Sequence, residues 1–387
     1  MVQPLQLVAT ALRKVAVAFY TTKYSLKKKA GWLGQPIIQP YFGYGNKDFV
    51  YLKGRLLEDV GLSKPEDNHN KWQNLKAMYK RYTADFIPGA RISVEFEGHE
   101  TEVTTDEEGY FEVNLSLEQP IESDRDWFPM HFKLEDEIIH NQEESTATGR
   151  VMISETNSQF GIISDIDDTI LVSRATKFLR KIRLLLLKNA YTRLPFEGVA
   201  AFYHALQIGN ERNCFNPIFY VSSSSWKLYD LLLDFCQMKG IPVGPYMLRE
   251  SRADDYRFIS SIHNDHKLKK IEHILKVYAK IKFILIGDSG QKDTEIYAQV
   301  VRDFPGRIEN IYIRDVSKEK NDVKITAIAE ELKEKYDVKM NLVKHTSEAA
   351  ELAYSSGYIS HKELLNVKGD EEREYQYTED PEELEKQ

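Results

Sequence analysis

Four short stretches of this chain place acids, serines or a lysine where an apolar run ends. The first is Phe160-Gly-Ile-Ile-Ser-Asp-Ile-Asp-Asp-Thr. Phe160, Ile162 and Ile163 read as a buried strand. Asp165, Asp167 and Asp168 must stop it, because burying unpaired charge is expensive. The acids therefore sit where the strand leaves its sheet, facing water, a metal ion or both. In the second stretch, Ile218-Phe-Tyr-Val runs into Ser222-Ser-Ser-Ser-Trp226 and then a helix. Ser222, Ser223 and the backbone N–H groups of a helix start suit an anion, while plain N-capping by Ser224 or Ser225 explains the same residues. In the third, Phe283-Ile-Leu-Ile-Gly287 leads to Asp288 and Asp293. A tight loop offering two carboxylates suits a hard cation such as Mg²⁺, which takes oxygen ligands. Alone it is an ordinary strand-to-helix loop; beside a second acid-bearing strand end it favours metal. The fourth is His266-Lys267-Leu-Lys-Lys-Ile, read as the opening of a helix, where a lysine opposes the macrodipole. Lys269 and Lys270 read as solvated helical lysines.

The elements that must position these residues alternate. Strands are expected at 160–164, 218–222, 246–248, 282–287 and 308–314, with helices around 177–190, 197–209, 226–239, 266–278 and 293–303. That alternation implies parallel βαβ units, and ligands of open α/β sheets bind at the carboxyl ends of the strands. A helix at 324–336, a strand at 338–343 and a helix at 346–355 follow. Before all this, Gly31 to Val151 carries short alternating runs such as Tyr110-Phe-Glu-Val-Asn-Leu, split by turn signals like Pro88-Gly. That texture predicts an antiparallel β-sandwich with no catalytic constellation of its own. Trp32, Tyr41, Phe42 and Tyr44 read as packing residues.

Composition bounds the function. The chain has 387 residues, 42% of them hydrophobic, enough for two or three domains with full cores. A net charge of −8 argues against a general nucleic-acid binder. Cys214 and Cys236 lack metal-ligand spacing and are expected as reduced thiols. No uncharged apolar run reaches the roughly 18–20 residues that span a bilayer, and no signal peptide is recognisable, so a cytoplasmic protein is expected. Residues 1–30 carry Arg13, Lys14, Lys23, Lys27, Lys28 and Lys29 without an acid. They read as a basic amphipathic helix, either drawn to an anionic membrane surface or packed on the protein's own body. The end, 361–387, is acidic and expected to be disordered.

Asp-x-Asp-x-Thr at a strand end, a strand-end Ser, a downstream Lys and Gly-Asp-(x)4-Asp occur here in that order, and the set resembles the four motifs of the haloacid dehalogenase superfamily. A closer likeness extends through Tyr220-Val-Ser-Ser-Ser-Ser-Trp226, Leu248-Arg249 and Ile284-Leu-Ile-Gly-Asp-Ser-Gly-Gln-Lys-Asp293. Those stretches resemble the actin-patch-associated phosphatidate phosphatase family; Tyr41-Phe-Gly-Tyr-Gly and Gly54-Arg55 look like its bacterial members, which carry a β domain in front. Ser225 departs from the pattern, standing where a proline is expected. The resemblance implies an α/β, Rossmann-like haloacid dehalogenase fold with a parallel sheet over 152–360. A small helical cap insertion would lie near 172–196, preceded by the small antiparallel β-sandwich of 31–151.

The resemblance also implies roles. Asp165 would be the nucleophile and form an aspartyl phosphate. Asp167 would serve as acid and then base, and would offer its backbone carbonyl to Mg²⁺. Asp288 and Asp293, with Asp165, would complete the metal site. Ser222, Ser223 and Lys267 would hold the transferring phosphoryl group. Residues 177–188 interleave basic and apolar positions beside the nucleophile loop, which suits a lipid phosphate at a membrane, or a cap helix docked on its core. Phosphatidate or a related lipid phosphate is thus the expected substrate. A soluble phosphomonoester and a catalytically silent membrane adaptor are the rivals.

Overall fold

The computed structural model describes residues 18–59, 84–121, 125–154, 158–166, 197–211, 214–249, 260–289, 292–316 and 322–379. Asp167, Asp168, the expected cap near 172–196, the basic run 177–188 and residues 1–17 lie outside the described residues. The chain divides into two compact units: Met1–Ile153 with Ser225–Leu231 and Glu250–Ser260, and Ser154–Ser224 with Leu232–Arg249 and Ser261–Gln387.

The first unit opens with helix α1 over 18–29. Strands β1 (Pro36–Pro40), β2 (Gly43–Gly45), β3 (Phe49–Glu58), β4 (Arg91–Phe96), β5 (His99–Thr104), β6 (Tyr110–Ser116), β7 (Trp127–Leu134) and β8 (Thr146–Ile153) follow. They form one hydrogen-bonded network in the order β1-β3-β2-β8-β7-β4-β5, with β6 on β3. Alternation drives it: Phe128, Met130, Phe132 and Leu134 of β7 and Ile92, Val94 and Phe96 of β4 all turn into one core with Leu52 and Val113. Fully burying each such side chain contributes about 1.5–3 kcal/mol. Residues 225–231 add rings to this unit. Tyr41 stacks on Trp226 at 4.7 Å, and its ring lies 4.3 Å from that of Tyr229, whose hydroxyl accepts from Phe42 N at 3.0 Å. The packing role expected of Trp32 fails, since it stands 76% exposed.

The second unit contains β9 (Gly161–Asp165), α2 (Val199–Ile208), β10 (Ile218–Ser225), α3 (Tyr229–Met238), β11 (Tyr246–Arg249) and α4 (Ser260–Val277). It continues with β12 (Phe283–Asp288), α5 (Asp293–Asp303), β13 (Ile308–Arg314), α6 (Asp322–Tyr336), β14 (Lys339–Val343), α7 (Thr346–Ser355) and α8 (His361–Glu379). The six strands lie in the order β11-β10-β9-β12-β13-β14, and every register from β10 to β14 is parallel. The chain fills the sheet outward in one direction from β9, then returns to fill the other side. The point of reversal, between β9 and β12, is where such sheets open a crevice at their carboxyl edge.

Two expectations are corrected here. The terminal segment does not begin disordered at 361, because α8 packs on α2 and α7 and buries Leu364 and Val367. An acidic average hid two apolar positions three apart on one helix face. Lys267 does not open its helix either. α4 begins at Ser260, so Lys267 lies two turns inside, beyond the reach of the terminal dipole.

Candidate active site

Asp165 ends β9 and is paired in register with Val221 of β10. Ser222 follows Val221 directly, and Asp288 ends β12 on the other side of β9. Three neighbouring parallel strands thus deliver Asp165, Ser222 and Asp288 to one edge of the sheet. All three are buried, at 1%, 0% and 0% exposure.

Asp293 reaches the same point as the first residue of α5, where an acid complements the helix dipole. Its Oδ2 accepts from the Asp288 backbone N–H at 3.3 Å. This close approach requires Gly287: a Cβ there would stand 2.7 Å from Asp293 Oδ2 and 2.8 Å from the Tyr297 ring. The Tyr297 hydroxyl donates to the Ile286 carbonyl at 2.8 Å, tying α5 to β12. Burial holds the Tyr297 phenol protonated well above its ordinary range, and the negative charges of Asp293, Asp165 and Asp288 push the same way.

Lys267, almost fully buried, places its Nζ 2.8 Å from Asp165 Oδ1 and 2.7 Å from Asp293 Oδ1. Asp165, Asp288 and Asp293 each offer a carboxylate oxygen, and these oxygens lie within 4.8 Å of one another. Among the described residues three buried carboxylates, when ionised, outnumber the Lys267 ammonium that pairs with them. Buried charge without compensation is strongly destabilising, and a divalent cation would supply further positive charge. An all-oxygen donor set of few carboxylates is also what Mg²⁺ accepts. The residues present fit that ion.

The serines divide their work. The Ser222 hydroxyl accepts from Ser224 N at 2.8 Å, folding the strand end, while Ser223 stays half-buried. The strand continues through all four serines, so no α-helix starts there; Ser225 instead accepts from Lys227 N at 3.4 Å and caps the 3-10 turn Trp226–Leu228. Lys270, expected in solvent, is half-buried and donates to the carbonyls of Ser222 at 3.3 Å and Met247 at 3.0 Å. It pins the ends of β10 and β11 to α4. The signal lay in its spacing, since Lys270 shares a helix face with Lys267, three residues earlier. Ser164 and Tyr203 were also unforeseen: their hydroxyls meet at 2.6 Å, and Ser164 Oγ donates to the Asp165 carbonyl at 2.9 Å, fixing the backbone under the first acid. Cys214 and Cys236 are both free thiols. Burial pushes the Cys236 thiol up to about 12, which leaves it inert at neutral pH.

A parallel sheet thus carries converging carboxylates and a lysine at its carboxyl edge, where sheets of this kind take their ligands. Residues 160–315 match the family model described as "Phosphatidate phosphatase APP1, catalytic domain". That segment, about two fifths of the chain, is similar to the phosphatidate phosphatase APP1 catalytic-domain family. Over 163 residues it is 33% identical to Phosphatidate phosphatase APP1 of Saccharomyces cerevisiae, covering 42% of this chain and 27% of the yeast protein. Over 297 residues it is 25% identical to an uncharacterized protein of Schizosaccharomyces pombe, covering 71% of this chain and 46% of that one. The matches therefore span less than half the length of either curated relative. Among solved structures, a carbohydrate acetylesterase from Xanthomonas citri aligns over 78% of this chain and 66% of its own at 10% identity, with a TM-score of 0.25. Overlap that slight has no bearing on fold or chemistry.

Proposed function

We propose that this protein is a Mg²⁺-dependent phosphatase that hydrolyses phosphatidate or a closely related lipid phosphate and releases inorganic phosphate. The observation that carries the reading is the convergence of Asp165, Asp288, Asp293 and Lys267, from three separate stretches, on one buried point. The named activity of the yeast relative supports the substrate class.

In this reading Asp165, Asp288 and Asp293 hold the metal with the Asp167 carbonyl. Bound there, Mg²⁺ offsets the negative charge of phosphate and carboxylates. A carboxylate oxygen of Asp165 attacks phosphorus, and the bond from phosphorus to the glycerol oxygen breaks. That oxygen leaves with a proton from Asp167. Asp167 then takes a proton from water, whose oxygen attacks the same phosphorus, freeing phosphate and restoring the Asp165 carboxylate. Lys267, Ser222 and Ser223 hold the equatorial oxygens throughout. The same reading makes 152–360 a Rossmann-like haloacid dehalogenase domain with its cap near 172–196. It makes 31–151 a sandwich, antiparallel as expected except that β2 pairs with β8 in parallel, and the whole a cytoplasmic protein working at an anionic membrane surface.

The test is phosphate release from phosphatidate in mixed micelles and from soluble phosphomonoesters, with Mg²⁺ or with chelator. Mg²⁺-dependent hydrolysis of the lipid, lost in Asp165→Asn, is the expected result. Hydrolysis of soluble esters alone would remove the lipid substrate; no hydrolysis of either would leave an adaptor.

A further inference from the structure

We infer that helix α1 and the turn after it form a membrane-contacting surface that takes an anionic bilayer. The helix is fixed on one side. Lys23 and Lys27 pair with Asp85, Lys27 also with Glu58, the Tyr24 side chain packs against the sheet core, and the Tyr20 ring lies 5.3 Å from that of Phe86. Gly31, at φ +68°, then ends the helix, and Trp32 N donates to the Lys27 carbonyl at 2.9 Å. That is the geometry of a Schellman cap, and it holds Trp32 at the helix end.

Among the exposed residues Thr21, Thr22, Ser25, Lys28 and Lys29, the segment also holds large apolar side chains in the open. Phe19 is 65% exposed, Leu26 63% and Trp32 76%. Phe19 and Leu26 are seven residues apart, which at about 100° per residue puts them within roughly 20° of each other on the helix. Lys29 borders them on one side and Lys23, itself paired with Asp85, on the other, while Lys28, nine residues from Phe19, is exposed on the opposite side of the helix. Exposed large apolar side chains on a fixed basic segment, with Lys29 beside their stripe, match a bilayer interface. The apolar groups enter the headgroup boundary and the lysines face anionic phosphates. A water-facing helix would gain nothing from this pattern. The purpose of the surface rests on the lipid-phosphate reading; its physics does not.

The experiment is co-sedimentation of the full chain with phosphatidylcholine vesicles, with and without phosphatidylserine, at two salt concentrations. Binding should require the anionic lipid and weaken with salt. Replacing Lys29 by Gln should weaken partitioning by roughly fivefold, and replacing Lys28 by Gln should weaken it less. Phe19→Ser, Leu26→Ser and Trp32→Ser combined should weaken it by about tenfold or more, with an unchanged melting temperature. The emission component lost in Trp32→Phe should shift to the blue on vesicle addition. Cleavage of a soluble phosphomonoester should be the same in all variants, whereas cleavage of vesicle phosphatidate should fall with binding. Equal vesicle binding by wild type and variants overturns the surface. So does a dimer that becomes monomeric in the triple variant without vesicle binding, which would make the face a contact between copies. Vesicle binding by a chain that hydrolyses nothing would sink the phosphatase and spare the surface.

Discussion

At the scale of single residues, the proposed Mg²⁺ site concentrates like charge. Asp165, Asp288 and Asp293 crowd within 4.8 Å, and Lys267 compensates only one charge. Asp288→Asn relieves part of that repulsion. The metal-free variant is expected to melt no lower than wild type, while the rise in melting temperature on adding Mg²⁺ disappears. In wild type that rise should correspond to about 2.7 kcal/mol at a hundredfold excess over Kd, and scanning calorimetry with and without chelator reads both. Lys270 acts one step further out, as a positioning residue, through the Ser222 carbonyl. Losing such a hydrogen bond is worth about 1–1.5 kcal/mol. Lys270→Met should therefore lower kcat/KM roughly tenfold, and Lys270→Arg should restore part of it. A loss of melting temperature with kcat/KM intact would assign Lys270 to stability alone.

At the scale of elements, the acids were legible because an apolar strand cannot run through them, and the structure puts Asp165 and Asp288 on strand ends as that argument requires. The whole of β13 was read at its observed bounds, since Ile308, Ile311 and Ile313 leave no ambiguity. Other elements were hidden by weak patterning. β8 starts Thr146-Ala-Thr-Gly-Arg, which shows little alternation, and β1 begins and ends with proline. Both are recognisable only from their partners across the sheet, which is tertiary information. The path of α4 was misjudged because its first turns, Ser260-Ser-Ile-His-Asn-Asp, have no apolar stripe. The junction of β12 and α5 is the strand-to-helix connection expected, with Asp293 at the helix start, and its tight packing at Gly287 was not foreseen. Gly287→Ala should cost about 1–3 kcal/mol by overpacking, because the neighbouring atoms belong to a helix start and an aromatic ring. Since the displaced group is Asp293, activity should fall more than stability does; urea denaturation beside the phosphatase assay separates the two.

At the scale of the whole molecule, the first unit carries an acid-sensitive clasp between α1 and the sheet. Burial alone would raise the Asp85 carboxyl, but hydrogen bonds from Lys23 and Lys27 outweigh it and hold the group below its ordinary value. The ionised form is then favoured by folding. The clasp contributes fully above the unfolded carboxylate pKa of about 3.9 and is lost as the pH falls through the lower folded value. Asp85→Asn should cost on the order of 1 kcal/mol at pH 7 and progressively less as the pH falls below about 3.9, and urea denaturation across that range measures the difference. The threading of the chain has a practical corollary. Trp226 and Tyr229 lie inside the segment that matches the catalytic family, yet they pack on Tyr41, nearly two hundred positions upstream in the sequence. No single cut can therefore lift the phosphatase portion out cleanly. A transplant starting at residue 154 would arrive with two bare rings and nowhere to seat them, and should clump unless the host provides a replacement for Tyr41.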